Sequence, residues 1–272
     1  MANITSYYSF GFHVLNELPN KNKILNQLDF FKIGLYGPNF LENQKSSPTS
    51  ISLAKKIHNA SCKSFIVNNS KYLRKNNLNI NAYMYGFIIH FALDSTLTPI
   101  VNHLEKDLKT QTFNPNVFVE EYLKSKDQDL LQNRNLYEIQ SAKKSIEDEV
   151  RPLYETYGIK ETELKQAFNN FWKFSNEFES PSKRNSIISK LYNFFFDKEN
   201  KSLKDTTNNK IKSYERILRR KIDFASELAL KLLKNYEAYL SKEKVLNDYF
   251  SYNFAGVKEN SNFTSIIPII SF

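Results

Sequence analysis

Two residues in the apolar stretch YMYGFIIHFALDSTLTP, residues 83–99, combine chemically active types with a useful spacing: His90 and Asp94. An imidazole and a carboxylate can each ligate a divalent cation, and each can also hold or release a proton. Four residues apart on an α-helix they share one face, about one turn or roughly 6 Å apart along the axis. One metal ion or one phosphate can touch both at that reach. The same spacing also suits a buried hydrogen-bonded pair that holds no ligand.

The chain around this pair has 272 residues, 41% hydrophobic and 25% charged, enough to bury a core of its own. Six glycines, eight prolines and long segments with apolar residues at helical spacing leave little from which to build strands. The prediction is an all-α fold in a single multi-helix domain over residues 1–272. A net charge of +9 and a pI near 9.3 bias the surface toward anionic partners such as phospholipid headgroups or phosphorylated small molecules. No arginine cluster or known module makes nucleic acid an expected partner.

Cys62 is the single cysteine, which excludes an intramolecular disulfide framework and a thiolate metal cluster. The N-terminal stretch has no basic region followed by an apolar one, and no run reads as long enough to span a bilayer. A cytoplasmic protein is the expectation. Phosphate-cradling glycine loops, HExxH and a nucleophile elbow are all missing from the sequence.

Periodicity and breakers predict the elements that must position the pair. Helices are expected over 8–18 and 21–32, followed by IGLYGPNF, where Gly34, Gly37 and Pro38 turn the chain and set Asn39 at the tip of a tight loop. A helix over 50–73 carries His58, and a central helix over 79–97 carries His90 and Asp94, with Pro99 bending or restarting it. Residues 110–135 read as a long surface loop with a short helix near 117–124. Helices over 139–157, 161–178, 181–198 and 211–240 follow, with a polar joint over 201–209 and an apolar tail over 241–272.

The segment YGFIIHFALDSTLTP resembles the GFxxHxxLDSxxHP segment of the bacterial zinc-dependent phospholipase C family, whose superfamily includes three-zinc single-strand nucleases. SYYSFGFHVLNEL is similar to that family's opening helix, IGLYGPNF to its G-x-x-GPD turn, and SLAKKIHNASCKSFI to its Met-His segment. The resemblance implies the phospholipase C helical fold. It also implies metal ligation by His58, His90 and Asp94, with Asn39 at the position of the family's GPD aspartate.

Several family donors are substituted. Thr98 stands where the HP histidine belongs, Tyr7 or Ser6 where the early histidine belongs, and the downstream His-x-x-x-Glu pair has no counterpart in register near Val101, His103 and Glu105. His13 and His103 read as ordinary histidines. Two of three zinc positions are therefore expected to be lost, leaving one zinc on His58, His90, Asp94 and Asn39. The implied function is a phosphodiester hydrolase scaffold of phospholipase C type, for a phospholipid or related substrate, with reduced or no activity. The alternative is an inactive helical interaction protein that binds a protein partner or an anionic surface.

Overall fold

The computed structural model describes residues 4–42, 48–107, 113–126, 143–179 and 205–258. Its helices are α1 (Ile4–Glu17), α2 (Lys21–Leu25), α3 (Leu28–Tyr36), α4 (Pro48–Asn59), α5 (Cys62–Asn68), α6 (Ser70–Leu73) and α7 (Leu78–Asp107). They continue with α8 (Pro115–Lys126), α9 (Lys143–Glu155), α10 (Glu161–Glu179) and α11 (Asp205–Leu240), and 3-10 turns cover Gly37–Glu42 and Asp248–Ser251. Among the described residues the extended pairing is confined to an isolated antiparallel bridge between Tyr252 and Lys258. The fold is all-α, as composition predicts.

Helix α7 lies at the centre. Every residue from Ala82 to Leu93 is buried, so the helix is covered on all its faces rather than along one stripe. Length and hydropathy alone would let Leu78–Lys106 cross a membrane, yet 89% of its apolar window is buried inside the protein, as in a core helix. Its start is fixed by polar chemistry. Asn76 turns the chain at φ 55°, and the Asn77 side-chain oxygen accepts from the N–H groups of Asn79 at 2.9 Å and Ile80 at 3.3 Å. Glu149 on α9 accepts from the amides of Asn77 and Asn79 at 2.9 and 2.8 Å, tying this cap to a second helix.

Helix α3 packs on α7 at backbone distance. A Cβ on Gly34 would lie 2.0 Å from the Tyr83 carbonyl oxygen, and one on Gly86 would lie 2.3 Å from the Phe31 carbonyl oxygen. Gly34 therefore sits inside a helix as a contact residue, and the expected turn falls instead at Gly37, whose φ of +56° ends α3. On the other side, Leu218, Ile222, Ala225, Ala229, Leu232, Leu233 and Tyr236 of α11 form the buried stripe that packs toward α7.

Element boundaries differ from the sequence reading where local polar groups intervene. The helix expected over 21–32 is two, α2 and α3, parted at Asn26 and Gln27. The one expected over 50–73 is three: Ser61, in extended conformation, caps α5 by accepting from the Ser64 N–H at 3.2 Å, and Asn69 precedes α6. The chain does not restart at Pro99: α7 runs through it as one continuous helix, with Leu97, Ile100, Val101 and Leu104 buried on both sides. Within the expected loop over 110–135, residues 115–126 form α8, longer than the short helix expected over 117–124, while residues 110–112 and 127–135, the helix over 181–198, the start of the joint at 201 and the end of the tail lie outside the described residues.

The Gly86→Ala substitution is expected to destabilise the protein by about 1–2 kcal/mol, since overpacking against backbone atoms at the upper end of about 1–3 kcal/mol outweighs the gain of about 1 kcal/mol in helix propensity. Urea unfolding followed by far-UV circular dichroism checks this. Unchanged or increased stability would show that α3 can back away from α7.

Candidate metal centre

Four segments converge beside the middle of α7. The helix itself supplies His90 and Asp94, the last turn of α4 supplies His58, the 3-10 turn supplies Asn39 and Glu42, and α1 supplies Tyr7. His90 and Asp94 are 0% and 4% exposed, while the His58 side chain retains 14%. Gly37 is needed a second time here, because a Cβ on it would stand 2.9 Å from the His90 ring.

Both imidazoles are oriented by the backbone. Nδ1 of His90 donates to the Leu35 carbonyl at 2.9 Å, and Nδ1 of His58 lies 2.9 Å from the Ala54 carbonyl. In the neutral rings this tautomer leaves Nε2 as a bare lone pair on each residue. Neither Nε2 has a hydrogen-bond partner, although both are buried. Nε2 of His90 nevertheless lies 3.3 Å from Oδ2 of Asp94, inside ion-pair distance but without hydrogen-bond alignment. Two acceptors facing each other in a dry site repel unless a proton or a metal cation lies between them.

Donor atoms of His58, His90 and Asp94 all lie within 4.8 Å of one another. A tetrahedral zinc with bonds of about 2.1 Å separates its ligands by about 3.4 Å, so a set within 4.8 Å closes on an ion with pairs moving together by at most about 1.4 Å. The Nδ1–H to carbonyl bonds are the outer contacts that metal-bound histidines make. Residues and donors therefore fit one divalent ion. A single proton can satisfy only one of the two bare nitrogens.

Tyr7 completes the far side of Asp94. Its hydroxyl donates to Oδ1 of Asp94 at 2.8 Å, and its ring stacks on His90 with centroids 4.2 Å apart. Asn39 stands beside the same hydroxyl and opposes part of the rise in its pKa, with its own carbonyl oxygen buried and unpaired. It is 8% exposed within the 3-10 turn and is not the tip of an open loop. Phe254, from the segment after α11, covers the two histidines at centroid distances of 5.2 and 5.5 Å, and its N–H donates to the His58 carbonyl at 3.2 Å.

Burial pushes the Asp94 carboxyl up, but His90, His58 and the Tyr7 hydroxyl outweigh it and hold the group below its usual value. Asp94 is anionic at neutral pH. Burial, reinforced by His90, lowers His58 to about 4, so its ring is neutral and its lone pair available. Burial and then Asp94 push the Tyr7 phenol well up, so it keeps its proton and remains a donor. Glu42, with an oxygen 3.7 Å from Nδ1 of His58, is raised by burial and by Asp94 against the pull of Lys55.

The structure thus brings His58, His90 and Asp94 into one group and leaves the bland histidines outside it. His13 pairs with Glu17 at 3.4 Å on the surface, and His103 is exposed. Glu105 accepts from Asn116 at 2.7 Å, in the last turns of α7, and is not part of the donor set. Sequence reasoning marked Tyr7 as a lost donor and had no signal for its bond to Asp94. It also missed Glu42 and Phe254, which lie 16 residues before and 196 after His58 in sequence. Compared with protein-family models, with curated proteins and with solved structures, the chain matches none.

Metal-free protein is expected to lose stability as pH falls from about 6.5 to about 4. Between those values the unfolded chain protonates His58 and the folded one does not, so the unfolded state binds more protons and gains on acidification. Lowering the His58 ring from 6.5 to about 4 corresponds to about 3 kcal/mol, lost by about pH 4. Urea midpoints measured with chelator at pH 7, 5.5 and 4 check this, and His58→Gln should give a shallower slope. An identical slope in both proteins would refute the assignment.

Proposed function

We propose that this chain is a helical scaffold of phospholipase C type that holds one divalent ion, zinc by donor type, and has reduced or no phosphodiesterase activity. The observation that carries the reading is the pair of buried, partnerless Nε2 atoms on His58 and His90, in residues whose donor atoms lie with that of Asp94 within 4.8 Å of one another. Two imidazoles and one carboxylate suit zinc over calcium or magnesium, which prefer oxygen ligands. A metal in this place would polarise a phosphoryl oxygen and acidify a bound water.

The chain's own residues support the weak-activity half of the reading. Asn39 has an amide where a carboxylate would serve as a base, and an amide cannot accept a proton from water at neutral pH. Tyr7 occupies space beside His90 with an aromatic ring and donates to Asp94, so it adds no metal donor. Phe254 and the burial of His90 and Asp94 leave little room for a phosphodiester next to the donors. The same burial favours a second reading, in which the ion is structural and the protein acts by interaction.

Protein purified without chelators should contain about one equivalent of zinc, and His90→Ala should contain almost none. Less than about a tenth of an equivalent of any divalent metal in the unsubstituted protein would overturn the metal half. Turnover of a chromogenic phosphodiester should not exceed that of Asp94→Asn. Robust hydrolysis abolished by that substitution would overturn the weak-activity half.

A further inference from the structure

A cleft of about 1010 Å³ opens where α2, the turn after α6 and the end of α11 meet. It shares no residue with the donor set of the metal centre. Its basic lining residues are Lys23, Arg74, Lys231, Lys234 and Lys244, contributed by four separate stretches of chain. Lys231 and Lys234 are one turn apart on α11 and so project from the same face. Among the described residues none of the four lysines has a carboxylate partner, whereas Lys126, Lys165 and Lys258 elsewhere all do.

Two acids line the same cleft. Glu237 accepts from the Tyr85 hydroxyl and, at 2.9 Å, from the Asn20 amide, so its charge is already bound to the wall. Glu243 is exposed on the turn after α11. The lining therefore carries a net charge of +3, held in a concave space of the size that small ligands occupy. Like charges gathered in a cleft repel one another, and a multivalent anion relieves that repulsion while each ammonium gains a charge-assisted hydrogen bond.

We infer that this cleft binds a ligand bearing clustered phosphates, engaged by Lys23, Arg74, Lys231, Lys234 and Lys244. Clustered phosphates match several point-like ammonium groups and one planar guanidinium better than a single carboxylate does. They occur both on soluble polyphosphorylated molecules and on phosphoinositide headgroups. The inference stands apart from the metal reading, since zinc content and cleft binding are measured separately.

Isothermal titration with tripolyphosphate at about 150 mM salt is the direct test. The expected result is one site with a Kd of about 10 μM or tighter. The Lys231→Glu/Lys234→Glu pair should weaken it by about tenfold or more, while Lys144→Glu/Lys160→Glu, at exposed positions outside the cleft, makes the same change in net charge and should leave it within about twofold. Far-UV circular dichroism confirms that both variants fold. No binding by the unsubstituted protein, or equal weakening by both pairs, would overturn the inference.

Sedimentation with phosphatidylcholine vesicles containing about 5% phosphatidylinositol bisphosphate separates the sources. Binding that depends on Lys231 and Lys234 and is displaced by tripolyphosphate identifies a headgroup. Tripolyphosphate binding without vesicle binding identifies a soluble ligand. Either supports the phosphate chemistry.

Discussion

The backbone contact between α3 and α7 is the constraint on which the rest depends. Without side chains at Gly34 and Gly86 the two helices meet at a distance no other residues allow. That closeness is what puts the Leu35 carbonyl 2.9 Å from Nδ1 of His90. The hydrogen bond in turn selects, in the neutral ring, the tautomer that leaves Nε2 bare, 3.3 Å from Oδ2 of Asp94. Gly37 extends the same principle by letting the chain turn sharply and pass beside the His90 ring.

The donor group built on that contact is tightly held and closely covered. Its donors are held by groups that cannot easily yield: a carbonyl for each imidazole, and the Tyr7 hydroxyl for Asp94. Burial keeps His58 neutral and neighbouring charge keeps Asp94 ionised, so these two groups offer a lone pair and a negative charge at neutral pH. The aromatic cover of Tyr7 and Phe254 lowers the local dielectric, which strengthens any ion held there and restricts what else can approach it. Affinity and access are opposed in this arrangement.

Away from the metal centre, charge is distributed by the same logic of packing. Acidic groups near the cleft, such as Glu237, are drawn into hydrogen bonds with buried or polar walls. Long lysine chains more often keep the ammonium in solvent, although Lys32 is buried beside Asp29. Five basic residues, Lys23, Arg74, Lys231, Lys234 and Lys244, line the cleft with two acids.

The sequence by itself determined that the protein is helical, that α7 is its buried centre, and that His90 and Asp94 share one helical face. Those are consequences of periodicity, of the scarcity of glycine and proline, and of a four-residue step. His58 was also legible, through the segment around it, as was the ordinary character of His13 and His103. Only the tertiary structure decided that Gly34 is a helix contact and not a turn, that α7 passes through Pro99, and that Asn39 is buried in a 3-10 turn and not set at the tip of an open loop. Each of these depends on atoms distant in the chain. Local pattern records what a residue does to its own helix, whereas a glycine's closeness to another backbone, a tyrosine's bond across 87 residues and the cover from Phe254 exist only once the helices have packed.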